Sequence, residues 1–334
     1  MKKYFILFFS TLFLLAIFSP AELPAATNYK GKVITIVVGY GPGGGYDRTA
    51  RLIAKHLPRF VPGNPAVIVE NQPGADSMIA ANYIYNVAKP DGLTIGTFNR
   101  GLPYAQLLKV SGVKYDIMKF AWIGSAASEA TVLAIQSSLP YKTFAELQAS
   151  KTRVNLGSMG PSDSSGQFPV MLREYAGLNV KMIIYPSSSD AMLAVERKEL
   201  DGRGGSYSSV KPFIDRGVVR VLVRGRVSQP GLEKMPVDED LALDKKGKAV
   251  MAMRSATDMI GRPYVAPPKT PPETMKILQD AFAKMLSDPQ VKADAQKLLM
   301  DVNYVAPAET LKIIQELFNQ PQDIIQEFAK IVKF

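Results

Sequence analysis

"VVGYGPGGGYDRTARLIAKHL", residues 37–57, decides how the chain is read. A β-branched run stops, three consecutive glycines follow, and a helical period begins. The Rossmann order G-x-G-x-x-G fails here: counted from Gly41 the sixth position is Tyr46, and from Gly43 it is Arg48. Glu70 ends the next strand where a ribose acid would stand, but the glycine it needs is missing. The Walker order fails as well, because no Gly-Lys-Ser/Thr follows the glycines. What remains is the physics such loops share. Consecutive glycines let backbone N–H groups face one point, and the next helix adds its positive end. That makes a site for an oxyanion. Asp47 stands where it can cap the helix. A tight turn that needs glycine for geometry alone is the plainer alternative.

Outward from this loop the pattern repeats. "KVITIVVGY" is a strand, and a helix is expected from about Arg48 to Phe60. "AVIVEN" is a second strand, "QPGADS" a second glycine loop, "MIAANYIYNVA" a helix and "LTIGTF" a third strand. Later, "TRVNLGS", the loop "MGPSDSSG", the helix "QFPVMLREYAG" and the strand "VKMIIYP" follow the same order, with Pro169 placed in the first turn of that helix. "DGRGGSYSS" reads as short and polar. Strands alternating with helices predict an α/β fold of two lobes, each with a βαβ-built sheet. Crossings are expected near Gly124 and Ser125 and again in "VSQPGLEKMPVDED". Lobe 1 would then hold residues 27–124 and 229–334, and lobe 2 residues 125–228. Thr270 and Glu273 have capping-box spacing, and the helices after them should cover the first lobe.

The 334 residues give room for two domains, and 47% hydrophobic with 21% charged residues fits an ordinary globular chain. Lys2 and Lys3, then "YFILFFSTLFLLAIF", then "SPAELPAA" have the order of a secretory signal peptide, with cleavage near Ala25 or Ala26. An uncleaved anchor is the alternative, but the run falls short of the roughly 20 residues of a spanning helix. The absence of cysteine removes disulfides, thiolate metal sites and cysteine nucleophiles. Removing residues 1–26 takes away Lys2, Lys3 and Glu22, and the net charge falls from +10 to +9. The cations are scattered, without aromatic interleaving, which disfavours nucleic acid and leaves small anions or a merely soluble basic surface.

Loops at the carboxyl ends of strands in both lobes would face one cleft. Ser158, Ser162, Ser164 and Ser165 could donate hydroxyl bonds there, although serine is also ordinary loop filler. Arg100 and Arg203 each sit after or beside a strand and could pair with a carboxylate, or lie solvated. The single histidine, His56, reads as a helix-edge residue, and no metal or nucleophile motif is present. No cofactor is expected.

"ITIVVGYGPGGGYDRTARLIAKHL", "VIVENQPGADSMIAANYIYNVAKPDGLTIGTF" and "GRPYVAPPKTPPETMKILQDAF" resemble the solute receptors of tripartite tricarboxylate transporters, the Bug-type periplasmic proteins. The likeness runs in order over nearly all of the chain after the leader. It implies a two-lobed periplasmic binding protein, type II or Venus-flytrap in form, that closes over a small organic mono- or dicarboxylate, aliphatic or aromatic. It implies delivery to membrane permease subunits, or service as a ligand-sensing partner of a sensor kinase. An exported α/β hydrolase is the remaining rival, and a monomer is expected. Carried over by position, the resemblance points to Tyr40, Gly43, Gly44, Gly45, Tyr46 and Asp47 in the first loop. It points to Asn71, Pro73, Gly74 and Ala75 in the second, and to Gly157, Ser158, Gly160 and Ser162 in the third. Gln167 and Phe168 stand where many members have His-Leu, and Tyr185 to Ser188 replace a Pro-Tyr-Lys-Gly segment. "VERKELDGRGGSYSS" looks like a sub-branch reading Glu-x-Asp-Gly-Arg, so the distal half of the pocket is particular to this branch.

Overall fold

The computed structural model describes residues 28–161 and 163–332. The expected leader, residues 1–26, and Ser162 lie outside the described residues. In chain order the first stretch holds β1 (Val33–Val38), α1 (Gly45–His56), β2 (Ala66–Asn71), α2 (Met78–Asn86), β3 (Thr94–Thr97), α3 (Leu102–Leu107) and β4 (Ala121–Ser125). The second holds β5 (Thr131–Gln136), α4 (Phe144–Ser150), β6 (Val154–Ser158), α5 (Ser164–Ala176), β7 (Val180–Ile184), α6 (Ser188–Glu196), β8 (Gly202–Ser206), α7 (Tyr207–Asp215) and β9 (Val219–Arg224). Then come α8 (Lys245–Ile260), β10 (Pro263–Ala266), α9 (Pro272–Ser287), α10 (Pro289–Lys297), α11 (Pro307–Phe318) and α12 (Gln322–Ile331).

The strands form two five-stranded sheets of the same plan, β2-β1-β3-β10-β4 and β7-β6-β8-β5-β9. In each, three parallel strands from βαβ units meet one antiparallel strand: β10 against β3 and β4, β5 against β8 and β9. Both antiparallel strands are the first that the chain lays down after passing from one sheet to the other. Residues 126–130 and 261–262 make those two passages, and they run side by side. Ala126 N–H donates to Arg262 O (2.9 Å), Arg262 N–H to Ala127 O (3.1 Å), and Glu129 N–H to Asp258 O (2.8 Å). Gly261 sits at this contact with φ +59°, and a Cβ there would fall 1.6 Å from Ala127 O.

Several expectations change in register or place. The helix after the glycine loop starts at Gly45, three residues early, because Gly44 is extended and the turn is already complete. Pro169 lies in the interior of α5 rather than in its first turn, packed over Gly204 of β8, whose missing Cβ makes the room. "GRGGS" is the middle strand of the second sheet, its backbone pressed against Ala134. Thr270 bonds Pro267 O instead of capping α9. α9 and α10 cover the first sheet through Leu278, Phe282, Met285 and Val291, as expected. α8 and α12 do not: Val250, Met251, Ile325 and Phe328 pack with Leu156, Phe168 and Leu172 of the second sheet's layer.

Buried ion pairs tie the passages to both sheets. Arg100, just beyond β3, meets Asp258 of α8 at 2.9 Å, and both side chains are 2% exposed or less. Arg262 meets Glu129 at 2.8 Å. Arg254 meets Asp258 at 3.1 Å and Asp238 at 3.4 Å, and lies 4.8 Å over the Phe168 ring. Burial pushes the Asp238 carboxyl up to about 7, and Arg254 draws it only part of the way back. An unfolded aspartate titrates near 4, so the folded state holds the extra proton. This group's contribution to stability is therefore complete below about pH 4 and is lost as the pH rises towards 7. Melting curves of wild type and Asp238→Asn across that range should differ in slope, with the decline smaller in the variant. Parallel curves would remove Asp238 as the cause. Gly261→Ala should destabilise the fold by roughly 2 kcal/mol or more in urea unfolding, since both the backbone angle and Ala127 O oppose a Cβ.

Candidate functional site

The glycine loop leaves the carboxyl end of β1 and is fixed from within. Asp47 accepts from Gly43 N–H (2.8 Å), from Arg51 Nε (2.9 Å) and from Asn71 Nδ2 (3.0 Å), while Asn71 also donates to Tyr40 O (2.8 Å). Burial pushes the Asp47 carboxyl up, but the bonds from Arg51, Gly43 and Asn71 outweigh it and hold it below the usual range. Asp47 thus holds the loop's shape, and it occupies the N–H of Gly43. The glycines admit the other lobe: a Cβ at Gly44 would lie 2.7 Å from Ser188 Oγ, and one at Gly45 2.4 Å from an Arg262 nitrogen. Tyr46 packs on Tyr40, ring centroids 4.8 Å apart, with the Arg262 guanidinium 4.2 Å from its own centroid.

Across from the loop, the second lobe closes directly onto it. Tyr40 Oη donates to Asp163 Oδ2 (2.8 Å) and Ser189 Oγ to Pro42 O (3.1 Å). Tyr40, Gly44, Tyr46, Met159, Ser188 and Arg262 are among the walls of a waist with about 10 Å³ of free space. Two larger cavities share walls with it: one of about 390 Å³ through Tyr40 and Met159, and one of about 430 Å³ through Gly44, Ser188 and Ser209. The first is lined by Tyr40, Pro73, Gly74, Ala75, Met159 and Tyr185, so it brings together residues expected from both lobes. Its floor is unusual. Ala75, Asp76 and Ser77 run at φ +44°, +52° and +80° before α2, and the buried Ser77 Oγ has no hydrogen-bond partner among the described residues. Strained backbone of this kind persists where surrounding structure over-determines it, and it clusters at ligand sites.

The third loop behaves differently. Gly157 is a packing position under Ala191 and Leu200 of the second lobe. Ser158 Oγ bonds within its own loop to Gly160. Ser158 and Gly160 also line a separate cavity of about 570 Å³ beside Val170, Met182 and Val332. Gly160 approaches Asp76 of the first lobe, where a Cβ would lie 2.9 Å from Oδ2. Asp163, Ser187, Ser188, Ser206, Ser209 and Arg262 escape sequence reading as cleft residues, because each looks like a cap or loop filler until the lobes are brought together.

The two arginines separate clearly. Arg100 is committed to Asp258, to Thr131 Oγ1 (2.8 Å) and to Ser206 Oγ (3.4 Å). Burial draws its pKa down, but Asp258 and further anions more than reverse that. Arg203 is 1% exposed, and none of its three guanidinium nitrogens has a partner among the described residues. Its guanidinium lies over the Gly205 backbone beside Ser165, at the carboxyl end of β8. Burial pulls it down to about 10, with Asp163 and Tyr40 pushing the other way. An uncompensated buried cation is costly, and the nearest anion among the groups that act on it is Asp163. His56 is bound to Asp294 at 3.1 Å, on the face of α1 that meets α10.

Comparison with known proteins agrees with this architecture. The chain is 24% identical over 324 residues, 92% of each chain, to the "UPF0065 protein in gbd 5'region" of Cupriavidus necator. The structure of the periplasmic binding protein BugD superposes with a TM-score of 0.73 at 21% identity, covering 90% of this chain and 97% of that one. MatC (Rpa3494) from Rhodopseudomonas palustris, with bound malate, gives 0.72 at 20% identity over 88% and 98%. At these identities the two structures establish the two-lobed periplasmic binding fold. Residues 50–329 match the family model of the tripartite tricarboxylate transporter family receptor, TctC, and the chain belongs to that family.

Proposed function

We propose that the chain is an extracytoplasmic receptor that closes its lobes over a small organic mono- or dicarboxylate and delivers it to the permease subunits of a tripartite tricarboxylate-type transporter. On this reading the leader is removed near Ala25 or Ala26, and the receptor works as a monomer in the periplasm. The observation that carries the proposal is the cavity of about 390 Å³ lined by loops of both lobes, with the Arg203 guanidinium, buried and without a partner among the described residues, near Tyr40 of its wall. A carboxylate can take two of the guanidinium donors in parallel. The strained Gly74–Ser77 turn, with the start of α2, offers the opposing end of the ligand hydroxyl and backbone donors. Family membership supports a receptor rather than an enzyme, and the malate seen in MatC is a ligand of the size and charge this cleft would suit. The site residues so assigned are Tyr40, Tyr46, Pro73, Gly74, Ala75, Tyr185 and Arg203. Gly43 to Gly45, Asp47, Asn71 and Arg100 support them.

Calorimetry against mono-, di- and aromatic carboxylates tests this. Arg203→Gln should weaken the best ligand roughly 30-fold or more, the usual cost of truncating a buried charge partner. Removing an unpaired buried cation should also raise the melting temperature of the free protein. Unchanged affinity would take Arg203 out of the site. Gly44→Val should hold the lobes apart against Ser188, giving a larger radius in small-angle scattering and weak binding with the fold intact. A compact, fully binding variant would show that the loop does not meet the second lobe on closure.

A further inference from the structure

If the chain is a receptor that works by lobe closure, the reading on which this inference rests, its two halves also carry a fastening of their own. Tyr40 follows β1 on the first lobe, and Asp163 precedes α5 on the second. They are 123 residues apart in the chain, yet Tyr40 Oη donates to Asp163 Oδ2 at 2.8 Å. The two residues are 5% and 3% exposed, so water does not compete for the bond. Each end is set on its own lobe. Asn71 Nδ2 donates to Tyr40 O (2.8 Å), and the Tyr46 ring packs on the Tyr40 ring. Asp163 is the N-cap of α5, where its Oδ1 accepts from Ser165 N–H (2.8 Å) and from the Ser165 hydroxyl. One carboxylate oxygen thus shapes the helix start while the other faces the opposite lobe. Burial and the Asp163 charge push the Tyr40 hydroxyl well above its usual range, so it remains a donor at neutral pH.

A second bond crosses the cleft elsewhere. Ser189 Oγ donates to Pro42 O at 3.1 Å in an exposed setting, and Ser189 lines the 430 Å³ cavity. Tyr40 lines the waist and the 390 Å³ cavity. The two bonds therefore fasten the lobes beside different cavities. Both join protein to protein, so they favour closure whether the cleft is empty or filled. Little ordering entropy opposes the first, because both of its ends are already fixed. A buried hydrogen bond to a carboxylate outweighs an exposed hydroxyl–carbonyl bond. Tyr40 and Asp163 are thus the main catch.

We propose that Tyr40 and Asp163 form a built-in latch that draws the lobes together ahead of the ligand, with Ser189 and Pro42 as a lighter second catch. The latch raises the closed fraction of the free receptor, and with it the apparent affinity for any ligand that needs the closed form. Because Tyr40 also lines the cavity, affinity alone does not separate a latch from a ligand contact, so the test reads the lobes directly. The sequence has no cysteine. Lys181→Cys on β7 and Lys292→Cys on α10, both exposed and on opposite lobes, therefore take one pair of spin labels. Pulsed electron resonance on the mature chain, without added carboxylate, should show a closed population. Tyr40→Phe keeps the ring and should lower the closed-to-open ratio roughly tenfold, the worth of one hydrogen bond to a charged group. Asp163→Asn keeps an acceptor for Tyr40 and should lower it less. Ser189→Ala, which leaves the buried bond untouched, should lower it roughly twofold. An unchanged distribution in Tyr40→Phe overturns the latch, as does a wild type with no closed population. Calorimetry with carboxylates on the same wild-type chain keeps the two readings apart: binding without a latch leaves the receptor standing, and a latch without binding leaves the fastening standing.

Discussion

Two short stretches of backbone lying antiparallel, residues 125–129 beside 258–262, govern everything else in this molecule. They carry the described chain from the strands of one sheet to those of the other, and they are bonded to each other through Ala126, Ala127, Glu129, Asp258 and Arg262. The same residues supply the buried charges that neutralise Arg100 and Arg262. The pivot and its electrostatic ballast are therefore one structure. Each sheet receives its antiparallel strand straight from this junction.

Much of this is legible in the sequence, and the failures have physical causes. β-branched runs such as "VITIVV" and "TVLAIQ" announce strands because they fit a pleated, half-buried surface. β8 has no such signal. Gly202, Gly204 and Gly205 are there because Ala134, Pro169 and the Arg203 guanidinium crowd that strand, and none of those neighbours except Arg203 is close in sequence. α8 and α12 carry helical period but no mark of which sheet they serve. Their partners, Phe168 and Leu172, lie on a helix whose true start is hidden by Pro169, since a proline reads as a first-turn residue.

The site is legible to a similar depth. Tyr40, the second loop and Tyr185 line one interlobe cavity, whereas Gly43 and Gly44 line the other. Arg100 and Arg203 give identical signals in sequence, an arginine by a strand near a glycine. Only the fold distinguishes them, by bringing Asp258 to one and, among the described residues, no bonding partner to the other. Asp47 reads as a helix cap, but Gly44 holds that place and Asp47 lies inside the first turn, from which its carboxylate bonds the loop. It reaches back to Gly43 and sideways to Asn71, which ties two strand ends together as well as shaping a helix start.

The narrow waist between the two cavities has a kinetic meaning. With about 10 Å³ of free space flanked by Tyr40, Gly44 and Ser188, nothing larger than a water can pass from one side to the other. The two larger cavities beside it are therefore separate chambers while the lobes touch. A molecule in one reaches the other only when the Tyr40–Asp163 and Ser189–Pro42 contacts part, so exchange between them is paced by separation of the lobes.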